Sequence, residues 1–267
     1  MRIYQQLDQL RKLTEGEILV RHIATYDLYA PDPQENAEIV WQKMDDRKID
    51  VAPLKEQPFY HRYIVVKELA NDQCEKYAHP IDVTMVIAET VPLVHIFQTL
   101  QKRPFLFVLQ GRGINGIVTK SDLQRVPVRI LMFWLITLLE MNLRESIRQY
   151  HGNDEWVNML SEKRLQDVKD LQAERLKKDT SIGLIEGTQL CDLKEIIARG
   201  PLLQEIFTDL TEKQFRKYLE RIEHYRNNLA HAQALNLDSL LFIFSEVKLY
   251  LKASDAWLHA RMANKST

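Results

Sequence analysis

The sequence predicts an α+β N-terminal region, residues 1–125, followed by an all-α helical bundle, residues 126–267. Three observations predict it. Helix-like and strand-like stretches alternate as far as Arg125. Strand signals nearly vanish from Val126 onward. Within the first region the order helix, strand, turn, strand occurs twice at a spacing of roughly 54 residues, the signature of an internal duplication.

In chain order, MRIYQQLDQLRKL at the start has an amphipathic helical pattern and lacks the apolar run of a secretory signal. Residues 33–46, PQENAEIVWQKMDD, place apolar side chains at helical spacing. A short strand follows at 50–54, DVAPL, then the turn-like KEQPFYH and the apolar run YIVV at 63–66. The second pass reads VPLVHIFQTL, 91–100, as helix and FLFVL, 105–109, as strand. A turn at Gly111-Arg112-Gly113 leads to a strand beginning with GIVT at 116–119.

The second region reads as about five or six helices. Residues 130–148 form one long helix, and 162–178 a very charged one. The few apolar residues of the latter (Leu165, Val168, Leu171, Leu176) sit mostly on one side, as in a solvated arm or a partly exposed hairpin. A loop with two glycines at 180–188 precedes a helix at 190–198, which Gly200-Pro201 stops. Helical stretches follow at 201–210, 211–228 and 235–258, with Thr211 as an N-cap.

Composition narrows the function classes. A net charge of −1 and a pI near 6.7 argue against a dedicated duplex-DNA binder, while leaving room for a local basic patch. Cys74 and Cys191 lie far apart and form no CxxC, so neither a disulfide framework nor a zinc site is expected. A reducing, cytoplasmic compartment is the simple reading. The most apolar stretch, ILMFWLITLL at 130–139, is too short to span a bilayer, so no membrane segment is expected.

Gly111-x-Gly113-x-x-Gly116 matches the dinucleotide-binding fingerprint by letter and follows a strand. That fingerprint needs a helix to open at its third glycine, and Ile117-Val118-Thr119 favour a strand instead. The glycines are therefore read as the turn of a β-hairpin.

GIVTKSDL, residues 116–123, resembles the terminal strand-to-helix signature of a CBS domain: a glycine, two apolar residues, Thr or Ser, two variable residues, then Asp. The preceding FLFVLQGRGIN resembles that family's strand and turn, and RYIVVKEL, 62–69, is the weaker counterpart in the first repeat. The resemblance runs from about Glu17 to Arg125 and implies a tandem CBS pair. Such pairs often bind adenine nucleotides, with the Thr on phosphate and the Asp on the ribose hydroxyls, here Thr119 and Asp122. An ionised carboxylate is acceptor-only and suits two vicinal hydroxyls. The first repeat holds Val65 and Glu68 at those positions, and Val65 cannot donate, so at most one half-site is implied. The alternative is that Thr119 merely favours a strand and Asp122 caps the next turn, the pair serving only for dimerisation.

RNNLAH, 226–231, resembles the Arg-x4–6-His motif of HEPN domains, helical bundles found in many metal-independent ribonucleases of toxin and defence systems. Spacing alone does not carry this: with 18 Arg and 8 His, a second pair, Arg144–His151, also fits. Context favours the first, which lies late on a helix with polar Asn227 beside the arginine. LEMNLR, 139–144, resembles the acidic-then-basic first helix of several HEPN groups. The resemblance implies RNA cleavage by 2′-hydroxyl attack. His231 would be the general base or acid, Arg226 would stabilise the phosphorane, and Asn227 would support them, with no metal or other cofactor. On one helix Arg226 and His231 stand ~140° apart. HEPN sites usually form between two copies, so a homodimer is expected. The alternative pairs Arg226 with Glu223 and leaves His231 at a helix C-terminus.

Two functions thus stand side by side. One is an endoribonuclease, its RNA cleavage regulated by an adenine nucleotide. The other is a non-catalytic nucleotide-sensing dimerisation or adaptor protein.

Overall fold

The computed structural model describes residues 16–56, 59–152, 154–177, 183–231 and 237–265. The amphipathic stretch at residues 1–13 lies outside them. The chain divides into two compact units, Glu15–Val128 and one that includes Arg129–Thr267.

In the N-terminal unit, helix α1 (Ala37–Asp46) starts where Asn36 accepts the backbone N–H groups of Glu38 (2.9 Å) and Ile39 (3.2 Å). Ala37, Val40 and Met44 line its buried face at helical spacing. Strands β1 (Val51–Pro53), β2 (Arg62–Val65) and β3 (His79–Pro80) form one antiparallel sheet. Strand β4 (Val86–Ala88) leads through a short 3₁₀ turn and helix α2 (Ile96–Lys102) to β5 (Phe105–Gln110) and β6 (Gly113–Thr119). Here β4 runs parallel and β6 antiparallel to β5. The parallel pair needs a crossover, which the turn and α2 supply.

The duplication read from the sequence is present in the strand register. Val51, Ala52 and Pro53 face Val65, Ile64 and Tyr63, whereas Phe105, Leu106 and Phe107 face Thr119, Val118 and Ile117. Every member of the second set is displaced from the first by 54 positions (105 − 51, 119 − 65). A 3₁₀ turn follows each second strand, at Val66–Glu68 and Lys120–Gln124. The copies differ in their third strand, which joins β2 in one sheet and β5 in the other. Tyr63 of the first sheet packs edge-on against Phe105 of the second (centroids 5.4 Å apart, 71°), within a core that includes Met85, Phe107 and Ile117.

The three glycines belong to a hairpin. Gln110 pairs with Gly113 across a two-residue turn, and Gly111 carries the positive φ (62°) that the turn requires. Gly116 lies in β6 under Tyr26, whose ring carbon would stand 3.0 Å from an added Cβ.

The helical unit contains six α-helices among the described residues. They are α3 (Val126–His151), α4 (Glu162–Leu176), α5 (Leu190–Arg199), α6 (Leu202–Ile206), α7 (Glu212–Ala230) and α8 (Leu237–Lys265). The division between the units falls in the first turn of α3. By length and composition α3 is long and apolar enough to cross a membrane, but 56% of that window is buried inside the chain. The charged α4 is more firmly packed than an arm. Val168 is 1% exposed, and an added Cβ at Gly187 would stand 2.8 Å from the Val168 carbonyl oxygen. Arg164 grips the buried Asp192 of α5 through both carboxylate oxygens, at 2.8 and 2.7 Å. Thr211 caps α7 through its hydroxyl, accepting from the Gln214 N–H.

Candidate functional site

One candidate group stands in each unit. In the first, β6 ends at Thr119, which caps the 3₁₀ turn Lys120–Gln124. The Thr119 N–H donates to Asp122 Oδ2 at 2.7 Å, and its hydroxyl donates to the same oxygen at 2.9 Å. Asp122 is therefore the reciprocal partner of a capping box, with Thr119 and not Asp122 as the cap. Asp122 Oδ1 pairs with Arg125 at 2.7 Å. Arg125 in turn donates to the Thr25 hydroxyl (2.7 Å) and the Ala24 carbonyl (3.3 Å). Backbone bonds of 2.9 Å in each direction hold Thr25 against Ile117 of β6. The carboxylate is thus 7% exposed and fixed from two sides, beside a strand end that opens into a turn.

The first repeat lacks this chemistry. Val65 heads the turn Val66–Glu68 without a side-chain bond, and Glu68 meets His79 Nε2 at 2.5 Å. Arg125 and Thr25 were not singled out in the sequence. Arg125 had a readable signal, a cation three positions beyond a turn aspartate. Thr25 had none, because it arrives from about a hundred positions away.

In the helical unit, Arg226 Nε and Nη2 donate to Asn227 Oδ1 at 3.3 and 3.0 Å. Arg226 Nη1 lies 3.5 Å from Glu140 Oε1 of α3. The other Glu140 oxygen lies 3.3 Å from Arg144, which also donates to the Thr188 carbonyl at 2.9 Å. A carboxylate only 9% exposed is thereby held between two guanidinium groups, one from LEMNLR and one from RNNLAH. The partner of Arg226 is Glu140 and not Glu223.

His231 stands apart from this group. It is the exposed C-cap of α7, its N–H donating to the Asn227 carbonyl at 3.0 Å. Among the described residues no bond joins its imidazole to Arg226 or Glu140. Arg226 turns toward α3 while His231 caps the end of α7, consistent with their ~140° separation on one helix. His224 and Asn228, one turn apart, touch at 3.1 Å. In the other Arg–His pair, His151 is 8% exposed and its Nε2 has no partner. Burial pulls that imidazole below its ordinary pKa, while Glu155 pulls the other way. Among the described residues no group of three His, Cys, Asp or Glu side chains is placed to hold a metal ion.

No protein-family model matches the sequence, and no curated protein matches it. Among solved structures, the CBS domain of a bacterial CNNM/CorC family Mg2+ transporter in complex with ATP is 16% identical. That likeness covers 45% of this chain and 92% of the other, with a TM-score of 0.35. CBSX2 in complex with AMP is 14% identical over 42% of this chain and 98% of its own, with a TM-score of 0.36. A CBS-containing hemolysin-like protein of Oenococcus oeni PSU is 11% identical over 44% and 94%, with a TM-score of 0.35.

Proposed function

We propose that the N-terminal unit is a tandem CBS-like module that binds one adenine nucleotide per chain at the end of β6. The observation that supports this most is the duplicated register. Two hairpins displaced by 54 positions each feed a 3₁₀ turn, and only the second offers a hydroxyl and a carboxylate, Thr119 and Asp122. Nucleotide ribose takes the remaining lone pairs of Asp122 as Arg125, whose side chain is 43% exposed, swings aside. A thermal-shift series of the full-length protein with AMP, ADP, ATP and the matching guanine nucleotides tests it. Adenine nucleotides should raise the unfolding temperature in proportion to the logarithm of their concentration. Equal shifts by guanine nucleotides, or none at all, would refute it.

A second reading concerns the helical unit: a HEPN-like, metal-independent endoribonuclease of the toxin or defence type, regulated by that nucleotide. What favours it is the meeting of Glu140 and Arg226, 86 positions apart, which fixes the guanidinium and joins both stretches that resemble HEPN domains. A second copy supplies the missing approach of Arg226 to His231 across a two-fold axis. The exposed Ile130 and Phe133 of α3, each 42% exposed, suit that contact. Purified protein with EDTA should cleave RNA to products ending in a 2′,3′-cyclic phosphate. His231→Ala should lose roughly 10²–10⁴-fold while staying folded. Wild-type protein inert on RNA with and without nucleotide leaves the adaptor function.

A further inference from the structure

Helix α7 carries a file of side chains outside the Glu140–Arg226 group. Lys213, Lys217, Arg221, His224, Asn228 and His231 succeed one another at steps of four or three. At ~100° per residue they stay within an arc of about 80°, along ~27 Å of helix. Lys213, Lys217, His224 and His231 are exposed, and Arg221 and Asn228 half-buried. Among the described residues no carboxylate pairs with Lys213 or Lys217. Two acidic groups of α7 itself are drawn elsewhere. Glu220, which flanks the file about 20° outside its arc, pairs with Lys194 of α5 at 3.1 Å, and Glu212 pairs with Arg216 at 2.8 Å. Arg221 stacks on the Phe242 ring of α8, its guanidinium carbon 3.3 Å from the centroid, so the group is held in place, with Glu246 of α8 as its electrostatic neighbour.

We infer that this face of α7 is a docking track for the backbone of single-stranded RNA, delivering the strand to His231. The inference rests on the ribonuclease reading for its direction and its preference for RNA. The charge pattern supports a single strand. The cations form a file one side chain wide on a chain whose net charge is −1, which suits one phosphodiester backbone and not the broad basic surface that a duplex demands. Beyond Arg221 the file turns from lysine and arginine to imidazole and amide side chains, so the strand is gripped at one end and met by hydrogen-bonding rings and amides at the other.

The test is fluorescence anisotropy of the full-length protein with a short labelled oligouridylate, 2′-O-methylated throughout so that it cannot be cleaved. Lys213→Ala/Lys217→Ala should weaken binding about tenfold. It should also flatten the slope of log affinity against log salt by about 1.4, two phosphates at ~0.7 each. Lys163→Ala/Lys169→Ala, an equal charge change on α4, should do neither. Equal losses in both double variants, or none in the first, would overturn the track. So would polyglutamate competing as well as oligouridylate, which would assign the face to an acidic protein. A track variant that binds poorly beside a wild type that never cleaves RNA keeps the track and removes the catalytic reading. A track variant that cleaves RNA with unchanged KM removes the track and keeps the catalyst.

Discussion

The two units solve the same problem, fixing a charged side chain, over different distances. In the α/β unit Asp122 is held mainly within its own turn, by Thr119 and Arg125, each three positions away. In the helical unit Arg226 bonds its neighbour Asn227, but among the described residues its charge is met only by Glu140, 86 positions away on another helix. A locally held carboxylate keeps its geometry as long as one strand end and one turn persist. A guanidinium held across the bundle keeps its geometry only while the helices stay packed. Damage to packing should therefore disturb the second group and spare the first.

The largest expected effect breaks the helical side of that comparison. Arg164→Ala leaves Asp192, 2% exposed, without its guanidinium, and should destabilise the helical unit by about 3 kcal/mol. Chemical denaturation followed by far-ultraviolet circular dichroism should show the helical transition moving to lower denaturant, with nucleotide binding by the α/β unit retained. Loss of both together would show that the units are not independent in stability. A smaller change sharpens the other side. Thr119→Val keeps the β-branched shape and the backbone donor but removes the hydroxyl bond to Asp122, and should cost about 1 kcal/mol in the α/β transition alone.

The smallest effect is one of pH. Burial lowers the pKa of His151 in the folded chain, so folding favours its neutral form. Above about pH 6.5 the imidazole is neutral in both states and this stabilisation is fully present. As pH falls below that value the unfolded chain takes up the proton first, and stability is lost. His151→Phe should flatten the pH dependence of the helical unit's unfolding temperature between neutral and mildly acid pH. An unchanged slope would mean that other groups set it.

Legibility in the sequence follows the same division. The hairpins, the 54-residue offset and the role of the three glycines were readable because strand alternation and turn chemistry are local. The bounds of α5 and α7 came through Gly200-Pro201 and the Thr211 cap for the same reason, whereas α3 extends four residues before and three beyond the helix read at 130–148. The packing of α4 was not readable. Its surface is almost wholly charged, and what anchors it comes from further along the chain: the Arg164–Asp192 grip over 28 positions, Val168 packed on Gly187, and Arg175 on the Glu186 carbonyl. The partner of Arg226 was missed in the same way: Glu223 is the helical neighbour that spacing suggests, and Glu140 is near only after α3 and α7 pack. Asp122 as the reciprocal member of a capping box, and not as the cap, was open to a local reading, since Thr-x-x-Asp has the spacing of that motif.

The central claim is that the second repeat alone carries a nucleotide site built on Asp122. Isothermal titration of full-length protein with AMP and ATP tests it most directly, comparing wild type with Asp122→Asn, which preserves size while removing the charge. The account predicts one adenine nucleotide per chain and a loss of about 1.5–3 kcal/mol in the variant, the worth of hydrogen bonds to a charged group. Two equivalent sites per chain, or an affinity unchanged by Asp122→Asn, would contradict it.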